Sequence, residues 1–120
     1  MHELSIAQEI CDIVRQSVPE NEMADVRVIR LKVGTFSGVV ADSLEFCFSA
    51  VTAESDLAQA RLEFQHVPFV VECHRCKKTF ENEVGFVVCP NCEGVETTVV
   101  SGRELQVTEI QVDSEKDKQP

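Results

Sequence analysis

Along this chain the spacing of apolar residues changes period several times, and each change marks an element. Over residues 4–18, Leu4, Ile6, Ala7, Ile10, Cys11, Ile13, Val14 and Val18 recur at helical intervals, with Gln8, Glu9, Asp12, Arg15 and Gln16 mostly opposite. This predicts an amphipathic helix burying a broad stripe. Pro19-Glu20-Asn21-Glu22 ends it in a loop. Residues 26–33 are rich in β-branched side chains and read as a strand, with an alternation that slips around Ile29-Arg30. Gly34-Thr35-Phe36-Ser37-Gly38 breaks the pattern. Asp42 and Glu45 then read as a capping box, and Leu44, Cys47, Phe48 and Val51 predict a second helix over 43–53.

Residues 60–67 alternate strictly, Leu62, Phe64 and His66 against Arg61, Glu63 and Gln65, as in a half-buried strand. His66 on that apolar face is expected to be a satisfied histidine at the edge of the core. A last strand is predicted over 103–112, its apolar phase shifting between Val107 and Ile110. Cys11 and Cys47 fall on the apolar helix faces and are expected to be core thiols. The sum is an α+β fold: two helices packed on a small, mainly antiparallel sheet, with a zinc-ribbon-like module inserted between strands. The expected division is 1–67 with 103–112 as the main domain, 68–102 as the inserted four-cysteine domain, and 113–120 as a disordered acidic tail.

Composition narrows the function. At 120 residues the chain can bury a core without disulfides. Its net charge is −10, and both halves are acidic: 11 acids against 5 bases over residues 1–66, 10 against 6 over 67–120. Such a surface repels phosphate backbones, which argues against a general nucleic-acid binder. Nothing approaches the roughly 18–20 apolar residues of a membrane helix. The start shows no basic run and no hydrophobic signal core, which makes the cytoplasm the expected location. No Ser/His/Asp set, phosphate loop or paired-carboxylate cleft stands out, so an enzyme is not expected.

Four of the six cysteines form Cys73-His74-Arg75-Cys76 and Cys89-Pro90-Asn91-Cys92, separated by twelve residues, room enough for a short hairpin. Two intervening residues let a tight turn place both sulfurs on one ion at about 2.3 Å, and two such turns complete a tetrahedron. Four thiolates leave no open position for water, so the ion is expected to be structural. Zinc is favoured over iron, because rubredoxin-like carriers surround their iron with aromatic rings and this chain has no Trp and no Tyr. Two thiol pairs without a metal are the bland alternative. A rubredoxin-like electron carrier and a zinc-ribbon interaction or regulatory module are the rival functions. The latter, as a nucleic-acid binder, would have to rely on Arg75, Lys77 and Lys78.

The other candidate chemistry is at Met1-His2-Glu3. Met1 is expected to stay, because His2 is too large for efficient removal of the residue before it. A terminal amine, the His2 amide and its imidazole can close adjacent chelate rings on one metal, with the Glu3 amide placed as a fourth nitrogen. That tetragonal nitrogen set suits Ni(II) or Cu(II). A histidine at position 2 also occurs by chance, with Glu3 then merely favouring a helix start.

Taken together, Met1-His2-Glu3-Leu4-Ser5 opening a helix, the Gly34-Thr35-Phe36-Ser37-Gly38-Val39 segment and the paired cysteines resemble the HypA/HybF family over all but the tail. Those proteins are nickel metallochaperones for maturation of [NiFe]-hydrogenase and, in some bacteria, urease. The resemblance implies Ni(II) cargo at Met1, His2 and Glu3, and structural Zn(II) at Cys73, Cys76, Cys89 and Cys92. It further implies a nickel-insertion GTPase (HypB) and the hydrogenase large-subunit precursor as partners. The sequence assigns no oligomeric state.

Overall fold

The computed structural model describes residues 3–113. Met1, His2 and, apart from Asp113, the expected tail lie outside the described residues. The elements run α1 (Glu3–Ser17), a 3₁₀ turn (Glu20–Asp25), β1 (Val26–Gly34), α2 (Ala41–Thr52), β2 (Arg61–Val67), β3 (Val70–Cys73), β4 (Thr79–Glu81), β5 (Thr97–Ser101) and β6 (Leu105–Val112). Among the described residues no helix is long and apolar enough to cross a membrane.

The chain forms two compact units. Of the described residues, the first comprises 3–31, 39–64 and 107–113, the second 32–38 and 65–106. Strands β1, β2 and β6 form a sheet in the order β2-β1-β6.

In the first unit α1 packs against α2. Ile6, Ala7, Ile10 and Val14 of α1, and Leu44 and Phe48 of α2, are buried. So are Val26, Val28, Ile29 and Leu31 of the central strand β1. The slip in alternation expected near Ile29 is real: Val28 and Ile29 are adjacent and both buried, and strict alternation resumes at Leu31 and Val33. Arg30 marks the half-buried positions, pairing with Glu63 of β2 at 3.0 Å and with Glu109 of β6. On β6 the phase shift also appears, with Thr108 and Glu109 both exposed between half-buried Val107 and Ile110.

Four expectations need correcting. The segment after Pro19 is a 3₁₀ turn rather than a loop, and it buries Met23. The α2 N-cap is Val40, without a side-chain cap, so Asp42 lies inside the first turn and makes no capping box with Glu45. Cys11 and Cys47 are half-buried, at the margin of the core rather than within it. His66 is exposed; its Nε2 lies 3.1 Å from the Thr35 hydroxyl, which itself donates to the Val67 carbonyl.

The second unit is built on an antiparallel sheet in the order β4-β3-β5, with a bulge where β3 meets β5 between Val70 and Val71. Its buried apolar side chains are few: Val33, Phe69, Val71, Cys73 and Cys89. Phe69 is covered edge-on by Phe36, with ring centroids 4.8 Å apart. Segment 34–36 is stitched in by three backbone N–H groups, from Gly34 to the Glu104 carbonyl, Thr35 to Val67 and Phe36 to Gly102. Two glycines allow that approach. A Cβ on Gly34 would lie 2.2 Å from the Gly102 carbonyl carbon, and one on Gly102 (φ +114°) 2.5 Å from the Phe69 Cα.

Candidate metal centre

Each cysteine pair sits on a turn of the same construction. In the first, the Lys77 N–H donates to the Cys73 carbonyl (3.0 Å) and the Cys73 N–H to the Lys78 carbonyl (2.9 Å). In the second, Glu93 donates to Cys89 (2.8 Å) and Cys89 to Gly94 (3.0 Å). Lys77 and Glu93 both take the left-handed backbone conformation, at φ 65° and 62°. That kink lifts the following N–H groups toward the sulfurs. The first turn is the β3–β4 connection, and the second lies between β4 and β5. Within the twelve-residue spacer, β4 takes the first part and a loop over 82–88 the rest.

The turns bring the four sulfurs together. Cys73 Sγ lies 3.6 Å from Cys92 Sγ, Cys76 Sγ lies 3.6 Å from Cys89 Sγ, and all four are within 4.8 Å of one another. A tetrahedral ion with metal–sulfur bonds of about 2.3 Å needs sulfurs about 3.8 Å apart, so the donor set fits. Cys73 and Cys89 are buried, Cys76 and Cys92 half-buried. Gly94 keeps the centre open from below: a Cβ there would be 3.3 Å from Cys92 Sγ and 3.4 Å from Cys73 Sγ.

Backbone N–H groups prepare the sulfurs for a cation. The Lys78 N–H and the neighbouring thiols Cys89 and Cys73 bring Cys76 down to about 6 from the ordinary 9.0. The Cys76 N–H likewise lowers Cys73. At Cys92 the Gly94 N–H pulls the same way. Desolvation and the competing thiols outweigh it, and Cys92 is pushed up to about 11. Four adjacent thiolates repel one another, so the set holds protons that a bound divalent cation displaces. With every donor position filled by sulfur, the centre suits an ion that organises structure.

Among the described residues this is the cluster of metal-ligating side chains that converges on one point. Glu3, the remaining candidate within the described residues, is half-buried at the first position of α1. There the opening N–H groups have no intrahelical acceptor, so the Glu3 amide is not committed to the helix. His74, beside the first cysteine, is exposed and pairs with the Thr98 hydroxyl across the sheet.

A feature that the apolar pattern does not reveal is Asn82, whose side chain builds the loop after β4. Its Oδ1 accepts from the N–H groups of Val84 (3.1 Å), Gly85 (2.7 Å) and Phe86 (2.9 Å), and its Nδ2 donates to the Phe86 carbonyl (3.1 Å). Gly85, at φ +87°, lies against the Phe36 ring. An Asn followed at three residues by Gly is the signal that could have announced such a turn.

Comparison with known proteins supplies the context. The family model described as hydrogenase/urease nickel incorporation, metallochaperone, HypA matches residues 1–112. A hydrogenase maturation factor HypA from Geobacter metallireducens is 41% identical over 113 residues, 94% of this chain and all of that protein. One from Rhodopseudomonas palustris is 35% identical over the same coverage. In fold the chain is similar to the solution structure of the Ni metallochaperone HypA from Helicobacter pylori. The TM-score is 0.66 at 20% identity, covering 96% of this chain and 100% of that one. The match along nearly its whole length, together with a convergent four-thiol site, places this chain in the HypA family of hydrogenase and urease nickel-incorporation metallochaperones.

Proposed function

We propose that this chain binds Ni(II) at Met1, His2 and Glu3 and releases it to the machinery that matures [NiFe]-hydrogenase, with Zn(II) held structurally by Cys73, Cys76, Cys89 and Cys92. The observation that carries the reading is the family match, which begins at Met1 and spans both candidate sites. The nickel role falls to the unit that carries α1, and the zinc role to the unit that carries the cysteines.

The chemistry follows from the donors. The amine and imidazole must both be neutral to bind, so nickel affinity falls steeply below neutral pH. A site at a chain end, with few ligands, exchanges its metal readily with a docked acceptor. Cu(II) outcompetes Ni(II) on such nitrogen donors, so selectivity rests on metal supply and on the acceptor. The acceptors in this reading are a nickel-insertion GTPase and the hydrogenase large-subunit precursor, in the cytoplasm. The chain itself catalyses no reaction.

Calorimetric titration of zinc-loaded protein with nickel tests this. Stoichiometric binding is expected with the native start. It is expected to be lost both in His2→Ala and in a version extended before Met1. Equal binding in all three would move the nickel elsewhere and remove the proposal.

A further inference from the structure

Beside the second cysteine turn the second unit carries a groove of about 440 Å³. Its floor is apolar, formed by Phe80, Phe86, Val88 and Pro90, and its charged lining is confined to Glu81 and Glu93. Among the described residues neither carboxylate takes part in an ion pair, whereas Arg15, Arg30 and Arg61 are each paired with an acid. The groove therefore pairs exposed apolar surface with two uncompensated negative charges, in a chain of net charge −10.

The apolar side chains are held out rather than left loose. Phe86 is 63% exposed and Val88 44% exposed. Yet the loop that presents them is fixed by the four hydrogen bonds of Asn82 and by the Thr97 hydroxyl donating to the Val87 carbonyl at 2.6 Å. Exposing large apolar groups on a rigid loop costs solubility, and stability of the unit does not require it. Ordered apolar anchors with the ordering entropy already spent are what a docking site needs.

We infer that this groove docks a segment of a protein partner in which an apolar side chain is flanked by lysines or arginines. The apolar side chain would lie on Phe86 and Val88, and the flanking cations would meet Glu81 and Glu93. The inference deepens the delivery reading by naming a surface for the acceptor and the chemistry that acceptor must present. A purely apolar partner leaves the two carboxylates desolvated and unpaired, and an acidic one is repelled. A nucleic acid is repelled for the same reason.

The test uses the full zinc-loaded chain and three labelled pentapeptides: Lys-Lys-Phe-Lys-Lys, Lys-Lys-Gly-Lys-Lys and Glu-Glu-Phe-Glu-Glu. Amide NMR shifts and fluorescence anisotropy are the readouts. Saturable binding is expected for the first peptide, with shifts centred on Glu81, Phe86, Val88 and Glu93, and much weaker binding for the other two. Phe86→Ser and the double variant Glu81→Lys, Glu93→Lys should each weaken it by at least about fivefold. Lysine is tolerated at 93, because Lys77 already holds the same conformation in the sister turn. Unaltered amide dispersion outside the groove confirms that the variants fold. Equal affinity for the three peptides, shifts centred away from the groove, or undiminished binding by both variants overturns the inference. Nickel titration of the same samples separates the two readings, since neither variant touches residues 1–3. Peptide binding without nickel binding would retain the groove and remove the delivery role, and the reverse would remove the groove alone.

Discussion

Lys77 and Glu93 occupy the same left-handed backbone conformation, φ 65° and 62°, each one residue beyond the second cysteine of its pair. Two non-glycine residues in that region imply that sulfur geometry sets the backbone there, at a cost of about 1–2 kcal/mol each. Relieving the strain should stabilise the loaded protein. Lys77→Gly is expected to raise unfolding stability by up to about 1 kcal/mol, and Lys77→Val to lower it by more than that. Denaturant unfolding of the zinc form measures both, and a stable Val variant would show that the turn does not need its kink.

Metal removal should act on one unit. The buried apolar set of the second unit is small, and two of its members, Cys73 and Cys89, are candidate ligands. Chelation is therefore expected to collapse the amide dispersion of β3, β4 and β5 while leaving most of the far-ultraviolet helical signal of α1 and α2. Loss of both together would mean that the units fold as one.

Gly38 and Gly102 make a matched pair for testing close approach. Both have positive φ, at +82° and +114°, but nothing lies within 4 Å of a Cβ on Gly38. Gly38→Ala should cost about 1 kcal/mol from conformation alone. Gly102→Ala adds a collision with Phe69 and is expected to cost at least about 3 kcal/mol. Equal costs in chemical denaturation would rule out the collision as the cause.

The ion pair between Arg15 and Asp56, at 2.9 Å, carries a pH signature. The Arg15 guanidinium holds the Asp56 carboxyl below its ordinary 3.8. A carboxyl depressed by folding contributes stability that is complete above its unfolded value and is lost as pH falls through the folded one. The pair is largely exposed, so the contribution is below about 1 kcal/mol. Asp56→Asn should lower stability near neutrality by up to that amount, and the difference from the parent should vanish as pH falls below 3.8 and through the folded Asp56 value. A pH-independent offset would instead assign the effect to packing.

Asn82 can be dissected atom by atom. Asn82→Asp keeps the acceptor for three N–H groups and loses only the donor to Phe86, whereas Asn82→Ala loses all four bonds. Hydrogen exchange at Val84, Gly85 and Phe86 should quicken sharply in the Ala variant and little in the Asp variant. Equal quickening would mean that the Nδ2 bond, not the acceptor, holds the loop.

Much of the secondary structure was legible in the residues, because periodicity reports burial and burial shapes these elements. The phase shift in β6 and the slip in β1 could both be read from the order of apolar and polar positions. The cysteine cluster was legible for a different reason, since its spacing is dictated by the radius of one ion. What periodicity missed was set by contacts far apart in sequence. His66 alternates in phase with Leu62 yet is exposed, at a place where the strand has passed into the second unit. Asp42 has the chemistry of a cap but falls two residues too late, behind Val40. The close approach of Gly34 to Gly102 joins residues 68 positions apart, and no local pattern encodes it.

The threading of the chain through residues 32–38 bears on how such a protein is inherited. The four-cysteine stretch depends on segment 34–36 for three backbone hydrogen bonds and for the ring that covers Phe69. A genetic event that copied residues 65–106 alone would carry every sulfur ligand but leave three carbonyls and an aromatic face without their complements. The stretch is thus not a portable cassette. Recombination that preserves its architecture must bring along a piece of β1 encoded some thirty codons upstream.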